Sequence, residues 1–234
     1  MSRLPPIPDP LDSVLFDAGD TLLAPAPSFQ GRFVAVAAAN GLPLEEAAVD
    51  AAIADAVRAA SWPSDWTDPA TQRSFWVGFY RQVLADLGHE GRELADALFE
   101  AFSDPAAYRL FDDVRPALDE LASRGIKLGV VSNFEPWLED ILDLQGIGDR
   151  FAAVAISGKL GVAKPDPEIF KAALTEAGAD PEATVHVGDQ PVNDVAAARA
   201  VGITPVLIDR YARHPETDGA HRVEDLLELV ELVR

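Results

Sequence analysis

The stretch Leu-Asp-Ser-Val-Leu-Phe-Asp-Ala-Gly-Asp-Thr-Leu-Leu, residues 11–23, decides how the rest of the chain is read. Its apolar run Val14-Leu15-Phe16 has strand character, and the small residues Ala18 and Gly19 with the turn-former Asp20 stop it directly after Asp17. The expectation is a strand with a carboxylate at its tip. In open parallel sheets such tips border the crevice where ligands bind. Asp is also an ordinary turn residue, so the assignment of Asp17 depends on what the remaining segments add.

Beyond this strand the apolar period changes. From Ala24 to about Tyr108 apolar residues recur every three or four positions, the spacing of one helix face. Phe29, Phe33 and Val36 mark a first helix that ends near Gly41, and Val49, Ile53 and Val57 a second. Phe75, Phe79, Val83 and Leu87 mark a third that stops at Gly88; Leu94, Leu98 and Phe102 mark a fourth. The loop Ser61–Trp66 carries Trp62 and Trp66, read as rings packed over the bundle. Together these segments predict a small helical module with short connections.

After Asp112 strands alternate with helices. Pro116 to Arg124 reads as a helix, Ile126 to Val131 as a strand ending in Ser132-Asn133, and Leu138, Ile141 and Leu142 as the next helix. Phe151 to Ile156 is expected as a strand, Ser157 to Pro167 as a loop, Glu168 to Ala177 as a helix, and Thr184 to Val187 as a buried strand running into Gly188-Asp189. Asn193 to Val201 reads as a helix, Thr204 to Ile208 as the last strand and Val223 to Val233 as the final helix. Strands separated by helices call for right-handed crossovers and a parallel sheet covered on both faces. The fold expected is α/β, a Rossmann-like parallel core of residues 1–23 and 109–234 with a helical module of residues 24–108 inserted after the first strand.

The composition narrows what this fold can do. The chain has 234 residues, 48% of them apolar, enough for a sizeable core. Against 39 Asp and Glu stand 19 Lys and Arg, a net charge of -20 that repels nucleic acid and anionic membranes. Neither is expected as a partner. A phosphorylated small molecule is repelled too unless a cation neutralises it, so phosphate chemistry here implies a metal. There is no Cys, which removes disulfides, thiol nucleophiles and thiolate metal sites and fits a reducing compartment. The proline-rich start does not resemble a signal peptide and no apolar run is long enough to span a bilayer, so the location expected is the cytoplasm. Oligomeric state is not legible.

Four strand ends carry polar residues: Asp17, Ser132-Asn133, the loop with Lys164, and Asp189 to Asp194. A parallel sheet puts all its carboxyl ends on one side, so these distant residues can converge. The set suits phosphoryl transfer: a carboxylate as nucleophile, a hydroxyl and an amide for the transferring oxygens, a Lys to neutralise them, and further carboxylates for Mg²⁺. His186 falls inside a buried strand and reads as a neutral, hydrogen-bonded core residue. His89, His214 and His221 are read in loops, and no His pair has the spacing of a helical zinc site.

With Phe-Asp-Ala-Gly-Asp-Thr-Leu at 16–22, Val-Val-Ser-Asn at 130–133, Gly-Val-Ala-Lys-Pro-Asp-Pro-Glu-Ile-Phe at 161–170 and Val-Gly-Asp-Gln-Pro-Val-Asn-Asp at 187–194, the chain resembles the haloacid dehalogenase-like hydrolase superfamily. The subclass it resembles carries a helical cap between the first and second motifs. The resemblance implies Asp17 as nucleophile, Ser132 and Lys164 as catalytic partners, and Thr21, Ser132, Asn133 and Lys164 as the substrate-binding set. It further implies Mg²⁺ held by Asp17, Asp189 and the carbonyl of Gly19, with Asp194 acting through water. Lys159 is a rival for the Lys role, but Lys164 directly precedes Pro165 as the family's does, and Lys159 is read as a solvated charge.

One departure divides the functional readings. In the family's phosphatases the second residue after the nucleophile is usually an Asp that protonates the leaving group and activates water; here it is Gly19. Asp20 is a turn residue or a displaced catalyst. Three readings stay open: a Mg²⁺-dependent phosphatase of a small phosphorylated metabolite, a 2-haloacid dehalogenase that would need a cation such as Arg32, Arg73 or Arg81 for the substrate carboxylate, and a regulatory or binding protein with weak or no turnover.

Overall fold

The computed structural model describes residues 4–61, 63, 66–214 and 219–234. The chain divides into two compact units, Met1–Leu23 with Leu110–Arg234, and Ala24–Arg109. In the first, β1 (Ser13–Phe16) is buried along its whole length. Such a continuous apolar run is what a strand covered on both faces requires. Two short strands, β2 (Leu23–Pro25) and β3 (Tyr108–Leu110), pair in a separate sheet.

Among its described residues the unit Ala24–Arg109 holds four α-helices, α1 (Phe29–Ala39), α2 (Glu46–Ala59), α3 (Pro69–Asp86) and α4 (Arg92–Ser103). Local chemistry starts two of them. Ser28 accepts from the Gly31 amide at the head of α1, and Asp68 accepts from Ala70 and Thr71 ahead of Pro69, the first residue of α3. Their apolar faces meet in one core, where Phe33, Val49, Val83, Leu84 and Leu98 are wholly buried. The Trp66 ring meets Phe75 and Trp76 edge-on at 5.0 and 6.4 Å between centroids, as packing on the bundle requires. Trp62 lies outside the described residues.

The other unit continues through α5 (Val114–Ser123), β4 (Lys127–Ser132), α6 (Leu138–Leu144), β5 (Ala153–Ile156), α7 (Ser157–Leu160), α8 (Pro167–Ala177), β6 (Thr184–Gly188), α9 (Ala197–Ala200), β7 (Thr204–Ile208), β8 (His221–Val223) and α10 (Leu226–Leu232). Six strands form one sheet in the order β5-β4-β1-β6-β7-β8, and every pairing in it is parallel. The α/β Rossmann-like architecture is therefore present. Phe16 is level with Val130 on one side and Val187 on the other. That register brings Asp17, Ser132 and Asp189 to the carboxyl ends of three adjacent strands, Ser132 as the last residue of β4 and the other two just past β1 and β6.

Three local expectations are corrected. Ser157–Leu160 forms a short helix rather than loop, closed by Gly161 in the left-handed region at φ 73°. The segment read as a helix from Asn193 begins instead with a π-helical turn, Pro191–Ala196, which carries Asp194 inward. Thr204–Ile208 is not the last strand: β8 follows it, and His221 opens that strand rather than lying in a loop. Only Val223 of β8 is buried, so three residues with polar His221 and Arg222 gave no apolar run to read. Among the described residues no helix is long and apolar enough to cross a membrane.

Candidate active site

Lys164 is the centre of the polar cluster at this edge. Its side chain is 3% exposed, and Nζ donates to Asp17 Oδ1 and to Asp194 Oδ1, each at 2.6 Å. Burial opposes its charge, but the two carboxylates outweigh burial and hold the ammonium above the ordinary Lys range. The loop that presents it is fixed by Asn133, whose amide Nδ2 donates to the Lys164 carbonyl at 2.8 Å while Oδ1 accepts from the Lys164 amide at 2.6 Å. Asn133 thus serves the site by shaping the backbone that carries the cation.

Asp17 lies just past β1, with its amide donating to the Val187 carbonyl at 2.9 Å. Its Oδ1 accepts from Lys164 and, at 3.0 Å, from the Ser132 hydroxyl. Among the described residues nothing donates to Oδ2, which leaves that oxygen for chemistry. Burial raises the Asp17 carboxyl above its ordinary range, and the Lys164 charge pulls the other way. Asp194 is held lower than usual: burial would raise it, but Lys164 and His186 prevail. It also accepts from the Gln190 amide at Oδ2, 2.9 Å away. The close approach of Asp194 explains Gly188, because a Cβ there would lie 2.2 Å from the Asp194 carboxyl carbon.

Asp189 has no such support. Among the described residues no group donates to its carboxylate, and burial together with the charges of Asp17, Asp194 and Asp20 pushes it up to about 8, with Lys164 only partly opposing. Oxygens of Asp17, Asp189 and Asp194 lie within 4.8 Å of one another. Three carboxylates face one ammonium, an excess of negative charge in a poorly solvated place. A hard dication with oxygen ligands relieves it, so the donor set fits Mg²⁺.

At Gly19 an added Cβ would meet nothing within 4 Å. Asp20 adopts φ 52°, and its Oδ1 accepts from the Tyr211 hydroxyl at 3.4 Å. Burial raises its carboxyl, with Arg213 and Tyr211 opposing. Thr21 is wholly buried, and among the described residues its hydroxyl has no partner.

His186, read as a structural core residue, is fully buried, and its Nε2 lies 3.0 Å from Asp194 Oδ1 with Phe170 edge-on to the ring. It supports a site carboxylate directly. Strand burial was readable, but the eight-residue return of the chain to Asp194 was not. Two residues escaped sequence reading altogether: Arg210 donates to the Thr21 carbonyl at 2.7 Å, and Tyr211 reaches Asp20. Neither sits in a motif. Lys159 pairs with Glu139 on the surface at 2.6 Å. Of the arginines considered for a carboxylate, Arg32 donates twice to the Ala101 carbonyl, and Arg73 pairs with Asp96 and Glu100 beneath the Phe99 ring. Arg81 is exposed.

The family described as haloacid dehalogenase-like hydrolase matches residues 11–202. The chain is 33% identical over 230 residues to haloacid dehalogenase-like hydrolase domain-containing protein 3 of Danio rerio, covering 94% of this chain and 95% of that protein. It is 36% identical over 170 residues to the phosphoserine phosphatase of Thermus thermophilus, covering 70% of this chain and 65% of that enzyme. Among solved structures, 2-haloacid dehalogenase from Pseudomonas syringae superposes with a TM-score of 0.64 at 26% identity, over 95% of this chain and 98% of that one.

Proposed function

The chain belongs to the haloacid dehalogenase-like hydrolases, and from that premise we propose that it is a Mg²⁺-dependent phosphatase acting on a small phosphorylated metabolite through an aspartyl phosphate on Asp17. In this reading Ala24–Arg109 is the cap domain. The observation that carries it is Asp189: a carboxylate with no donor among the described residues, pressed against two others, is a poor feature for halide displacement from carbon and a suitable one for a phosphate site that binds a dication. The likeness to a phosphoserine phosphatase supports the same choice.

The residues divide the work as follows. Asp17 Oδ2 attacks phosphorus and forms the acyl phosphate as the bond to the leaving oxygen breaks; water then hydrolyses the acyl phosphate and restores the carboxylate. Lys164 and the Ser132 hydroxyl hold Asp17 Oδ1 and so orient the nucleophile. Lys164 also places positive charge beside the phosphoryl oxygens. Ser132, Asn133 and Thr21 complete the substrate-binding set, Asn133 through the Lys164 backbone it holds. Asp17, Asp189 and the Gly19 carbonyl would hold Mg²⁺, with Asp194 behind them, and the ion supplies charge neutralisation for the phosphoryl group.

Gly19 favours a second reading, a 2-haloacid dehalogenase, because displacement of halide needs no acid. Against it, Arg32 and Arg73 are already engaged within their own unit. The test is release of phosphate from p-nitrophenyl phosphate and of chloride from 2-chloropropionate, each with Mg²⁺ and with EDTA. Mg²⁺-dependent phosphate release is expected. Chloride release indifferent to EDTA establishes the dehalogenase, and turnover of neither supports a binding role.

A further inference from the structure

The turn that follows the nucleophile is held from outside. Asp17 to Leu23 folds around one carbonyl, that of Ala18, which accepts from the amides of Thr21, Leu22 and Leu23 at 3.4, 2.8 and 3.0 Å. Any displacement of Thr21 is therefore passed to Ala18, next to Asp17. The Thr21 carbonyl accepts from Arg210 Nη2 at 2.7 Å.

Arg210 is itself anchored at three points. Its fork pairs with Asp113, Nη1 to Oδ1 at 3.1 Å and Nη2 to Oδ2 at 2.8 Å, both side chains being nearly buried. Asp113 Oδ2 also accepts from the Leu226 amide at 2.7 Å, which fixes it to the head of α10. The guanidinium lies 4.0 Å from the centroid of the Phe111 ring. Among the described residues Arg210 Nε is buried without a partner. A buried donor left unpaired costs stability, so this placement favours the reach to Thr21 over the best pairing of the guanidinium.

Residues 209–214, which carry Arg210, are tied down by contacts of their own. Asp209 is 4% exposed and accepts from the amides of Arg213 and His214 at 2.8 and 3.0 Å and from Arg222 at 3.0 Å. Ala212 is held at φ 53°, a left-handed conformation that a residue with a Cβ adopts only under constraint. The next side chain, Tyr211, donates to Asp20 on the same turn. Two contacts from one constrained loop thus fall on consecutive residues of the catalytic turn.

We propose that residues 209–214, which follow β7, are a positioning clamp for the nucleophile, in which Arg210 grips the Thr21 carbonyl and Tyr211 steadies Asp20. Its link to catalysis rests on the reading of Asp17 as nucleophile; its mechanical part does not. The clamp sets where Asp17 points, so its loss lowers turnover rather than substrate binding.

The experiment combines amide hydrogen exchange across Ala18–Leu23, thermal unfolding and steady-state hydrolysis of p-nitrophenyl phosphate for wild type, Arg210→Lys, Tyr211→Phe and, as a comparison outside the clamp, Arg124→Lys. Lys keeps the charge but cannot hold Asp113 by a fork and reach Thr21 together. In Arg210→Lys, exchange at Thr21–Leu23 is expected to rise about tenfold, and kcat to fall about 10- to 100-fold with KM changed less than about twofold. Tyr211→Phe shows the same pattern more weakly, and Arg124→Lys shows neither change. Unaltered exchange across the turn in folded Arg210→Lys overturns the clamp, as does an equal rise in Arg124→Lys. If Arg210→Lys does not fold, Asp113→Asn, which loosens the anchor and keeps the Arg, is read in the same way. A wild type without phosphatase activity overturns the proposed function, while exchange still decides the mechanical part.

Discussion

Lys164 Nζ and Asp17 Oδ1 lie 2.6 Å apart in a buried contact between residues 147 positions distant in sequence. The same ammonium reaches Asp194 at 2.6 Å, so one cation serves two carboxylates. Replacing Lys164 by Met leaves both without their cation. Breaking a buried pair in this way typically costs about 3–5 kcal/mol. Urea unfolding of Lys164→Met should show a loss of that order and turnover should vanish. A Lys164→Met protein as stable as wild type would mean that the carboxylates are neutral in the folded state.

Asp17→Asn separates chemistry from stability. The amide keeps the shape of the side chain but is a poor nucleophile, so turnover should be abolished. Removing one carboxylate from a cluster in which three face one ammonium relieves repulsion, and the metal-free melting temperature should hold or rise. Residual activity in purified, folded Asp17→Asn assigns the nucleophile elsewhere.

Asp189 gives the site a pH signature. It titrates near 3.8 in the unfolded chain and is pushed up to about 8 in the fold, first by burial and then by its carboxylate neighbours. Between these values the folded state binds more protons than the unfolded state, so stability falls as pH rises. Its contribution is fully present below about 3.8 and lost as pH passes about 8. Melting of the metal-free protein from pH 5 to 9 should decline, and Asp189→Asn should flatten the decline. Binding Mg²⁺ displaces that proton, so affinity should strengthen with pH, by up to about tenfold per unit below the shifted value. Calorimetry in buffers of different ionisation enthalpy counts the proton. An affinity independent of pH places the metal away from Asp189.

The fold was legible wherever pattern was long or punctuated. Val14-Leu15-Phe16 followed by Ala18-Gly19-Asp20 announced a strand and its end, and the parallel register then brought Ser132 and Asp189 to Asp17. Lys164 was separable from Lys159 by its neighbour Pro165, and the structure buries the one and leaves the other on the surface. What escaped was short or non-local. β8 has one buried residue in three. Arg210 donates to a backbone carbonyl 189 positions away, and no side-chain pattern encodes a carbonyl acceptor. His186 looked like core because it is core; its bond to Asp194 depends on the π-helical turn, which apolar periodicity cannot distinguish from an α-helix.

Gly19 makes the sharpest prediction for the phosphatase reading. Gly19 leaves the site without the acid and base that the family's phosphatases usually carry at this position, help that is typically worth about 10²–10⁴-fold. Wild type should therefore be slow on alkyl phosphates and faster on p-nitrophenyl phosphate, whose leaving group needs little protonation. The backbone and the first side-chain atom do not oppose restoring the group: a Cβ at Gly19 meets nothing within 4 Å, and the backbone there is not in the left-handed region. Gly19→Asp should raise the alkyl rate more than the aryl rate, measured as kcat on a matched pair of esters. Asp20 is not equivalent, because its carboxylate is turned to Tyr211, and Asp20→Asn should leave the alkyl-to-aryl ratio of the wild type unchanged. A wild type equally fast on both esters, with a ratio that collapses in Asp20→Asn, would identify Asp20 as the acid and base and overturn this account of the departure.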